Sequence, residues 1–468
     1  MAEASVRRSA LLSVPLRPLR SMGSCFHCPS IVTGYGRTMS RSDARRAAGL
    51  LGLLAVACSA AAASRVPSTV AIPSPAAANP RGASARIVRI ALAEGQAQVL
   101  LTSAGPWTIY AEDGRTPVAL PQPGERWLLD REGRAVRAKR DDSRPVTASE
   151  GTVIVRPLDR DGQIGFNGKR WRGELAITAG ADGLIVVNRL PMDDYLKGVV
   201  PLEIGTSATA DAPAVEAQAV SARSYAVTHL LGGRLWDMRA TVSDQVYGGA
   251  SAETVVGNTS VDETSGLVLL YGGHVVNAPY FSTCGGSTAE PQDVWRTSPQ
   301  PYLQRVSDQI PGTTRFYCDG APKYRWNRVF GREALRQNIA RYLLTLPGRS
   351  SAISTVRAVT VTDVTPAGRV ATLSVDTDRG NVVLRGNEMR NALRLPSGEI
   401  LYSTYFSVDA VTGRDGVETL TLIGGGNGHG VGMCQAGAIG RARRSGLSND
   451  TSDLLSRHHG WHDRLSAR

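Results

Sequence analysis

Short runs that alternate apolar and polar residues fill the chain between residue 85 and about residue 200, and they constrain its fold more than any other feature. Examples are ARIVRIAL (85–92), GTVIVRPL (151–158) and LIVVNRL (184–190), with Gly, Asp and Pro between the runs. A period of two residues is typical of strands that bury one face. Fifty Gly and only 6% aromatic residues also favour a turn-rich chain over a helical bundle. The sequence therefore predicts an α+β, β-rich protein.

Residues 1–58 have the composition of a leader with a secretory signal. Residues 1–46 carry eight Arg and two acidic residues, and an uninterrupted small and apolar run, Ala47 to Ala57, ends at Cys58. These eleven residues are too few to span a bilayer but suit a signal peptide. We predict that Met39 is an alternative start and that Cys58 becomes a lipidated N-terminus. Ordinary signal-peptidase cleavage in the following Ala run is the alternative.

The segment after the leader predicts a tether, and the charge of the chain suits an exported protein. Residues 59–84 are rich in Pro, Ala and Ser and have little to bury, so we expect a flexible linker. The formal charge of +12 falls to +6 once residues 1–46 are set aside. A mildly basic chain suits an anionic cell envelope. The sequence has no basic and aromatic stripe of the kind that binds nucleic acid.

Two stretches about 230 residues apart carry most of the functional information. The first is LPMDDYLKGVVPLEI (190–204), followed by the Ala-rich helical run PAVEAQAVSARSYAV (213–227); the second is GGGNGHGVGMCQAGA (424–438). The first supplies Glu203, which we expect at the end of a strand just ahead of a helix capped by Asp211. The second supplies His429 in a loop whose glycines let the backbone approach a ligand. A carboxyl group beside such a loop suits acid chemistry on an extended polymer.

Taken with three further segments, these stretches resemble the stage II sporulation protein D family, which also contains the LytB amidase enhancers. The further segments are DQVYGG (244–249), ETSGLVLLYGGHVVNAPYFSTCGGSTAE (263–290) and PYLQRVSD (301–308). The resemblance implies a role in peptidoglycan remodelling, with lytic transglycosylase activity. It also implies a catalytic family region over 151–462 and a supporting β-rich region over 85–150. Alternating residues at 354–385 and a short helical run at 385–395 predict a smaller subdomain inserted at about 350–400.

A lytic transglycosylase, unlike an ordinary glycosidase, can work with one carboxylate. Glycosidases pair an acid with a nucleophile or base, whereas here the C6 hydroxyl of N-acetylmuramic acid attacks its own C1, an intramolecular step with a large effective-molarity advantage. We therefore predict Glu203 as the catalytic acid and base, with its pKa raised by Val199, Val200, Leu202 and Ile204. Asp193 and Asp194 are the candidates for a second carboxylate, although an N-cap and a structural anchor suit them better.

The resemblance also implies a set of residues that bind the glycan around Glu203. They are Gln218, Arg223, Tyr225, Gln245, Tyr247, Tyr280, Ser282, Thr283, Gly285, Gly286, His429 and Gln435. Structural alternatives stay open for three residues of the predicted site. Arg223 can form an ion pair with a neighbour, His429 can be a hydrogen-bonding scaffold, and Glu203 can be a satisfied structural carboxylate.

Three cysteines, Cys284, Cys318 and Cys434, lie in the region expected to fold. In an oxidising envelope the default is one disulfide and one spare thiol, and we predict the pair Cys284–Cys318. Many relatives have a His where this chain has Phe281, and some use it with cysteines to hold zinc. We therefore expect no zinc and no other cofactor. A zinc site built from these cysteines and His429 is the alternative.

Two further function classes stay open beside the transglycosylase. One is an amidase enhancer, which binds an N-acetylmuramoyl-L-alanine amidase and leaves glycan strands intact. The other is an envelope scaffold that only binds peptidoglycan. In all three cases we expect glycan strands as a partner, a membrane contact through the lipid anchor, and no nucleic acid.

The predicted lipid anchor can be tested at one atom, the sulfur of Cys58. We expect Cys58→Ser to release the protein from the membrane fraction, because serine offers no thiol for acylation. Fractionation with immunoblotting measures this, and N-terminal sequencing of the mature chain is the independent check. A variant that stays in the membrane fraction, or a mature start within the Ala run, would contradict lipidation.

Overall fold

The computed structural model describes residues 86–141, 147–230, 232–348 and 352–445. The predicted leader, Cys58, the linker 59–84 and the His-rich tail lie outside the described residues. Of these described residues, 22% are in helices and 37% are in strands. The predicted α+β, β-rich fold is confirmed.

Twelve strands occupy residues 87–191, where the sequence alternates most clearly. They are β1 (Ile87–Gln96), β2 (Gln98–Thr102), β3 (Trp107–Tyr110), β4 (Pro117–Ala119), β5 (Arg126–Glu132), β6 (Ala135–Arg140), β7 (Thr147–Glu150), β8 (Thr152–Pro157), β9 (Ile164–Phe166), β10 (Lys169–Trp171), β11 (Glu174–Ala179) and β12 (Leu184–Pro191).

These strands form two sheets over a common core. With β13 (Met238–Arg239), the larger sheet has the order β13-β1-β12-β11-β8-β3-β4, and the smaller has the order β10-β9-β2-β5-β6-β7. Val88, Val99, Leu129 and Ile177 are fully buried between them. Because β8, β11 and β12 belong to the same sheet as β1 and β3, the boundary that we placed at residue 150 falls inside this unit.

Four helices follow the sandwich and pack on one another. They are α1 (Met192–Lys197), α2 (Val200–Ile204), α3 (Ala212–Thr228) and α4 (Val255–Glu263). α3 contacts α2, α4 and the C-terminal helix α8 (Gln435–Ser445). Most residues of α3 are small, and nearly every face of the helix is buried. Asp211 holds the N-cap position, but its carboxylate accepts from Thr206 and Arg443 instead of capping the helix.

The C-terminal glycine motif is joined to a segment from the middle of the chain by a short parallel pair of strands. The hairpin of β14 (Leu270–Tyr271) and β15 (His274–Val275) turns at Gly272 and Gly273, whose φ angles of 55° and 80° are those that such a turn requires. Next comes β16 (Tyr280–Phe281), then α5 (Pro291–Trp295). β16 pairs in parallel with β23 (Met433–Cys434). The segment 263–290 and the glycine motif 424–438 therefore meet at this pair.

A second core lies between these paired segments along the chain. Its elements are β17 (Arg325–Gly331), α6 (Arg332–Leu344), β18 (Val356–Val364), β19 (Val370–Thr377), β20 (Gly380–Arg385), α7 (Glu388–Ala392), β21 (Phe406–Gly413) and β22 (Gly416–Gly425). The sheets are β17-β22-β21 and β18-β19-β20. The buried cluster runs from Trp326 to Leu422, so this unit is about twice as long as the inserted subdomain predicted at 350–400.

No helix within the described ranges is both long enough and apolar enough to cross a membrane.

The approach of the glycine motif to β16 can be tested with two glycines that share a φ of +80°. A Cβ on Gly432 would lie 2.0 Å from the carbonyl oxygen of Pro279, whereas a Cβ on Gly273 would meet nothing within 4 Å. Positive φ alone costs an alanine about 1–3 kcal/mol. We expect Gly273→Ala to lower the free energy of unfolding by that amount and Gly432→Ala to lower it by clearly more. Urea denaturation measures both; equal losses would contradict the close approach.

Candidate active site

We expected Glu203 at the end of a strand, but it lies on the short helix α2. Pro201 occupies the first turn of this helix, and Gly205 ends it in the left-handed conformation with φ 69°. Glu203 Oε1 accepts a hydrogen bond of 2.6 Å from the backbone N–H of Val246. Burial nevertheless raises the pKa of the half-buried Glu203 carboxyl, because desolvation outweighs that hydrogen bond.

The predicted apolar surroundings of Glu203 are largely present. Val199 and Val200 are fully buried and Ile204 is nearly so, while Leu202 is 45% exposed. Three of these four aliphatic side chains therefore keep water from the helix that carries the carboxyl group.

Two tyrosines and a glutamine form a hydrogen-bonded chain near this carboxylate. The hydroxyl of Tyr195 donates to Gln245 Oε1 at 3.1 Å, and Gln245 Nε2 donates to the hydroxyl of Tyr280 at 2.9 Å. Burial and the negative charge of Glu203 both raise the pKa of these two phenols, so they stay protonated. Because Tyr280 is the acceptor from Gln245, its own proton can be donated to a ligand.

Tyr225 extends the aromatic surface of the site toward His229. The two rings stack with their centroids 3.9 Å apart, and Tyr225 meets Tyr280 edge-on at 6.5 Å. Burial lowers the pKa of His229 although its Nδ1 lies 2.7 Å from the carbonyl oxygen of Tyr225. Asp244 acts electrostatically on Tyr225 and accepts from the backbone N–H of Arg239 at 2.9 Å.

Three residues near the site were not among the predicted ones, although each lies within or beside a quoted motif. Tyr195 belongs to the 190–204 stretch, Asp244 opens DQVYGG, and His229 follows the Ala-rich run. Their residue types and their positions in these motifs could have identified them as candidate site residues from the sequence. Their convergence depends on how α1, α3 and the 244–249 segment pack.

Arg223, predicted to orient Glu203 or the glycan, instead forms a buried ion pair. Its side chain is fully buried, and Nη2 lies 2.8 Å from Asp193 Oδ1. The guanidinium also donates to the carbonyl oxygens of Leu267 and Val261. The structural alternative for Arg223 therefore fits the geometry, and Asp193 is its anchor.

Neither predicted second carboxylate acts on Glu203. Asp193 pairs with Arg223, and Asp194 faces Lys197 and Arg172. The N-cap position of α1 belongs to Pro191, so neither aspartate caps that helix. The pKa of Glu203 is shifted by burial and by a backbone N–H, with no neighbouring acid among the causes.

Three other predicted contact residues are internal. Tyr247 is buried and donates to Asn188 Oδ1 at 2.7 Å. Gln435 Nε2 donates to Gln218 Oε1 at 3.2 Å, and both side chains are buried. These contacts hold α3 to α8 and the 244–249 segment to the sandwich, away from solvent.

His429 supports the site through hydrogen bonds with the backbone. Its Nδ1 accepts from Val431 N–H at 3.2 Å, so Nε2 carries the proton and donates to the carbonyl oxygen of Tyr280 at 3.0 Å. Phe281 and Trp295 flank the ring. Burial lowers the pKa of His429 to about 3, so the imidazole is neutral, and both nitrogens are occupied. This geometry matches the scaffold alternative.

The CGGST segment contributes packing more than exposed polar groups. Ser282 is exposed, whereas Thr283, Gly285 and Gly286 are buried. A Cβ on Gly285 would lie 2.9 Å from the backbone of Gly425 and Gly426. Of these four predicted contact residues, only Ser282 is exposed.

The predicted disulfide is not formed in the structure, where Cys284, Cys318 and Cys434 are free and buried. The sulfurs of Cys284 and Cys318 are 3.5 Å apart, so the predicted pair is close. Cys434, which we expected to be a spare thiol, joins the same cluster.

A surface groove of about 810 Å³ lies elsewhere, on the second core. It is lined by residues such as Gln337, Arg341, Tyr342 and Arg394, and no acidic residue lines it. We place the candidate active site at Glu203, because acid chemistry requires a carboxyl group.

Comparison with known proteins covers both halves of the described chain. Residues 181–271 match the family described as stage II sporulation protein, and residues 313–432 match a domain of unknown function, DUF8618. The first range contains Glu203 and the segments around it. The second nearly coincides with the second core.

Curated relatives agree with the first match. An uncharacterized protein of Brachyspira hyodysenteriae is 27% identical over 379 residues, which cover 80% of this chain and 91% of that protein. The amidase enhancer of Bacillus subtilis is 30% identical over 53% of this chain, but the match spans only 37% of the enhancer. Stage II sporulation protein D of Bacillus subtilis is 29% identical over 56% of this chain and 72% of its own length. The resemblance stated from the sequence is confirmed.

The buried position of Arg223 predicts a stability defect instead of a binding defect. We expect Arg223→Ala to lower the free energy of unfolding by about 3–5 kcal/mol, because it leaves the Asp193 carboxylate uncompensated. Arg332→Ala is the matched control, since its partners Asp415 and Glu418 are exposed and such pairs contribute about 0–1 kcal/mol. Urea denaturation measures both. If Arg223→Ala keeps wild-type stability but no longer binds glycan, the structural role is contradicted and the predicted glycan-binding role of Arg223 is supported.

Proposed function

Because residues 181–271 place the chain in the stage II sporulation protein D and amidase-enhancer family, we propose that it is an exported lytic transglycosylase that cleaves peptidoglycan glycan strands. Its relatives suggest a cell-wall-related role and export. The observation that carries the finer proposal is the half-buried Glu203 carboxyl, whose pKa is raised by burial beside protonated tyrosines.

Glu203 performs both proton transfers of the proposed reaction. In its protonated form it donates a proton to the glycosidic oxygen as the bond from that oxygen to C1 of N-acetylmuramic acid breaks. The carboxylate then accepts the proton of the C6 hydroxyl as that oxygen bonds to C1. The products are a 1,6-anhydro end and a free hydroxyl on the leaving sugar, and Glu203 is protonated again.

The surroundings of Glu203 suit this cycle. A raised pKa keeps the proton on the carboxyl group closer to neutral pH, where it is needed first. The Val246 N–H holds Oε1, so we assign the proton transfers to Oε2. We further propose that Tyr280, which Gln245 orients, donates to a sugar hydroxyl or acetamido oxygen.

Among the described residues, no acid shifts the pKa of Glu203, and this supports a mechanism with one carboxylate. Asp193 is paired with Arg223, and Asp194 does not act on Glu203, so neither suits the role of a second catalytic acid. Asp244 is the remaining candidate, because it acts on the same tyrosines as Glu203. It is therefore the residue to test against the single-carboxylate mechanism.

A second candidate function is enhancement of an N-acetylmuramoyl-L-alanine amidase without glycan cleavage. The similarity to a protein named amidase enhancer favours it, at 30% identity over 274 residues. In that case the sandwich of residues 87–191 would be the part available to hold the amidase. For both functions we propose attachment to the membrane through a lipid on Cys58.

Replacing Glu203 by its isosteric amide separates the two functions. We expect Glu203→Gln to lower the rate of 1,6-anhydromuropeptide formation by about 10²–10⁴-fold, because the amide cannot supply or accept the proton. Mass spectrometry of muropeptides after digestion of purified peptidoglycan measures the rate. Asp244→Asn is the matched control and should cost much less. Near wild-type anhydro product from the Gln variant would refute the assignment, and intact glycan with wild-type protein would favour the enhancer.

The unfolding free energy of Glu203→Gln should also depend on pH differently from that of the wild type, and measuring it shows whether the variant is folded. A raised folded pKa means that folded Glu203 binds its proton more tightly than the unfolded chain does. Its contribution to stability is therefore present at low pH and is lost as pH rises from the ordinary value of 4.5 through the folded pKa. We expect the decline in unfolding free energy between pH 4 and pH 8 to be smaller in Glu203→Gln than in the wild type. A larger decline would contradict the raised pKa.

A further inference from the structure

Four buried side chains from three separate segments converge behind β16 and β23. They are Cys284, Asp308, Cys318 and Cys434, and their ligand atoms all lie within 4.8 Å of one another. Cys284 Sγ is 3.5 Å from Cys318 Sγ and 3.7 Å from Asp308 Oδ2. An aspartate is almost never fully buried unless its carboxyl group has a partner, and here it lies among three thiols.

The spacing of these atoms suits a tetrahedral metal ion. Zinc binds thiolate sulfur at about 2.3 Å and carboxylate oxygen at about 2.0–2.2 Å, which places two sulfurs on one ion about 3.8 Å apart. The observed Cys284–Cys318 separation of 3.5 Å is near that value. Four protein ligands without an open position are typical of structural zinc sites.

Backbone amides already point at two of the sulfurs. The N–H groups of Cys284 and Gly437 donate to Cys434 Sγ at 3.2 and 3.3 Å, and Gly286 N–H donates to Cys284 Sγ at 3.3 Å. Such donors stabilise thiolates and orient them toward an ion. The positive φ of Gly286, 130°, belongs to this turn around the sulfur.

The polar groups of the cluster are incompletely satisfied by protein. Asp308 Oδ2 accepts from Cys318 N–H at 2.9 Å, whereas Asp308 Oδ1 is buried without a hydrogen-bond partner among the described residues. A divalent cation would satisfy this carboxyl group together with the three sulfurs.

A buried arginine supplies positive charge beside the cluster. Arg369 is 1% exposed, and its Nη2 donates to the carbonyl oxygens of Cys284 and Ser287 at 3.0 and 3.3 Å. Its Nε and Nη1 have no hydrogen-bond partner, and the charges of Cys284 and Cys434 act on it. Three thiolates and a carboxylate exceed the charge of one divalent ion, so a neighbouring cation offsets the excess.

We propose that Cys284, Asp308, Cys318 and Cys434 bind one thiophilic divalent cation of the zinc class as a structural site. The ion would join the CGGST segment, the 301–319 segment and the glycine motif, which together support Tyr280 and His429. This inference goes beyond the proposed function and does not depend on it. It replaces our expectation that the chain binds no zinc, which rested on Phe281, a position that the cluster does not use.

The test uses the full chain in a background that removes every other cysteine. Cys25→Ser, Cys28→Ser and Cys58→Ser leave only the three cluster cysteines of the six in the sequence. We expect this protein, purified under reducing conditions without chelators, to contain about one zinc per chain by elemental analysis. After exchange into Co²⁺, thiolate-to-cobalt absorption in the near ultraviolet should appear. Because both readouts use unaltered ligands, they do not depend on whether ligand variants fold.

Ligand variants then assign the site. Cys434→Ser and Asp308→Asn should lose zinc or hold it far more weakly, whereas Asp319→Asn, which removes a carboxylate paired with Arg315 outside the cluster, should keep it. Absence of zinc together with a Cys284–Cys318 disulfide in peptide mass spectra would overturn the proposal. Zinc that is lost in the three-serine background, or kept in Cys434→Ser, would overturn it equally.

Discussion

The buried ion pair between Arg223 and Asp193 is the interaction on which the arrangement of the site depends. It joins α3 to α1, and the same guanidinium binds carbonyl oxygens at Val261 in α4 and at Leu267. Since α2 follows α1 directly, the place of Glu203 is set by how α1 is held against α3. A salt bridge at such a depth stabilises only when both charges are well solvated by protein groups, and the carbonyl oxygens supply that here. The ion pair that supports the fold is therefore separate from Glu203, the carboxyl group proposed for the chemistry.

The two sides of β16 have contrasting electrostatics. On one side Tyr280, Tyr195 and Gln245 form a neutral hydrogen-bonded chain, and burial raises the pKa of the Glu203 carboxyl beside it. Behind the strand, thiols and Asp308 crowd together next to Arg369. His429 lies between the two regions, neutral and bonded to the backbone at both nitrogens. A group that held the second region rigid would also fix the position of Tyr280, because β16 pairs with the strand that carries Cys434.

Much of the local structure followed from short-range physics. Alternation predicted the strands of residues 87–191, because a period of two residues places the apolar side chains on one face of a strand. The pattern around Pro213 predicted helix α3. Domain boundaries were harder to predict: a break at residue 150 was plausible locally, yet β8 and β12 pair with β3 and β1, which precede it. Likewise the second core is longer than the subdomain expected at 350–400, because β17 and β22, nearly 90 residues apart in the chain, are partners in one sheet.

By itself, the sequence determined the fold class and the resemblance to the stage II sporulation protein D family, and it drew attention to Glu203, because these depend on periodicity and on contiguous motifs. Tertiary structure alone decided the roles of the other polar residues. Arg223, Gln218 and Tyr247 look like ligand-binding residues in a motif, but packing turns them inward, where each needs an internal partner. The cysteines show the same limit. Their spacing permitted a disulfide with a spare thiol, whereas the return of residue 434 to β16 brings all three together with Asp308, a convergence that no local pattern encodes.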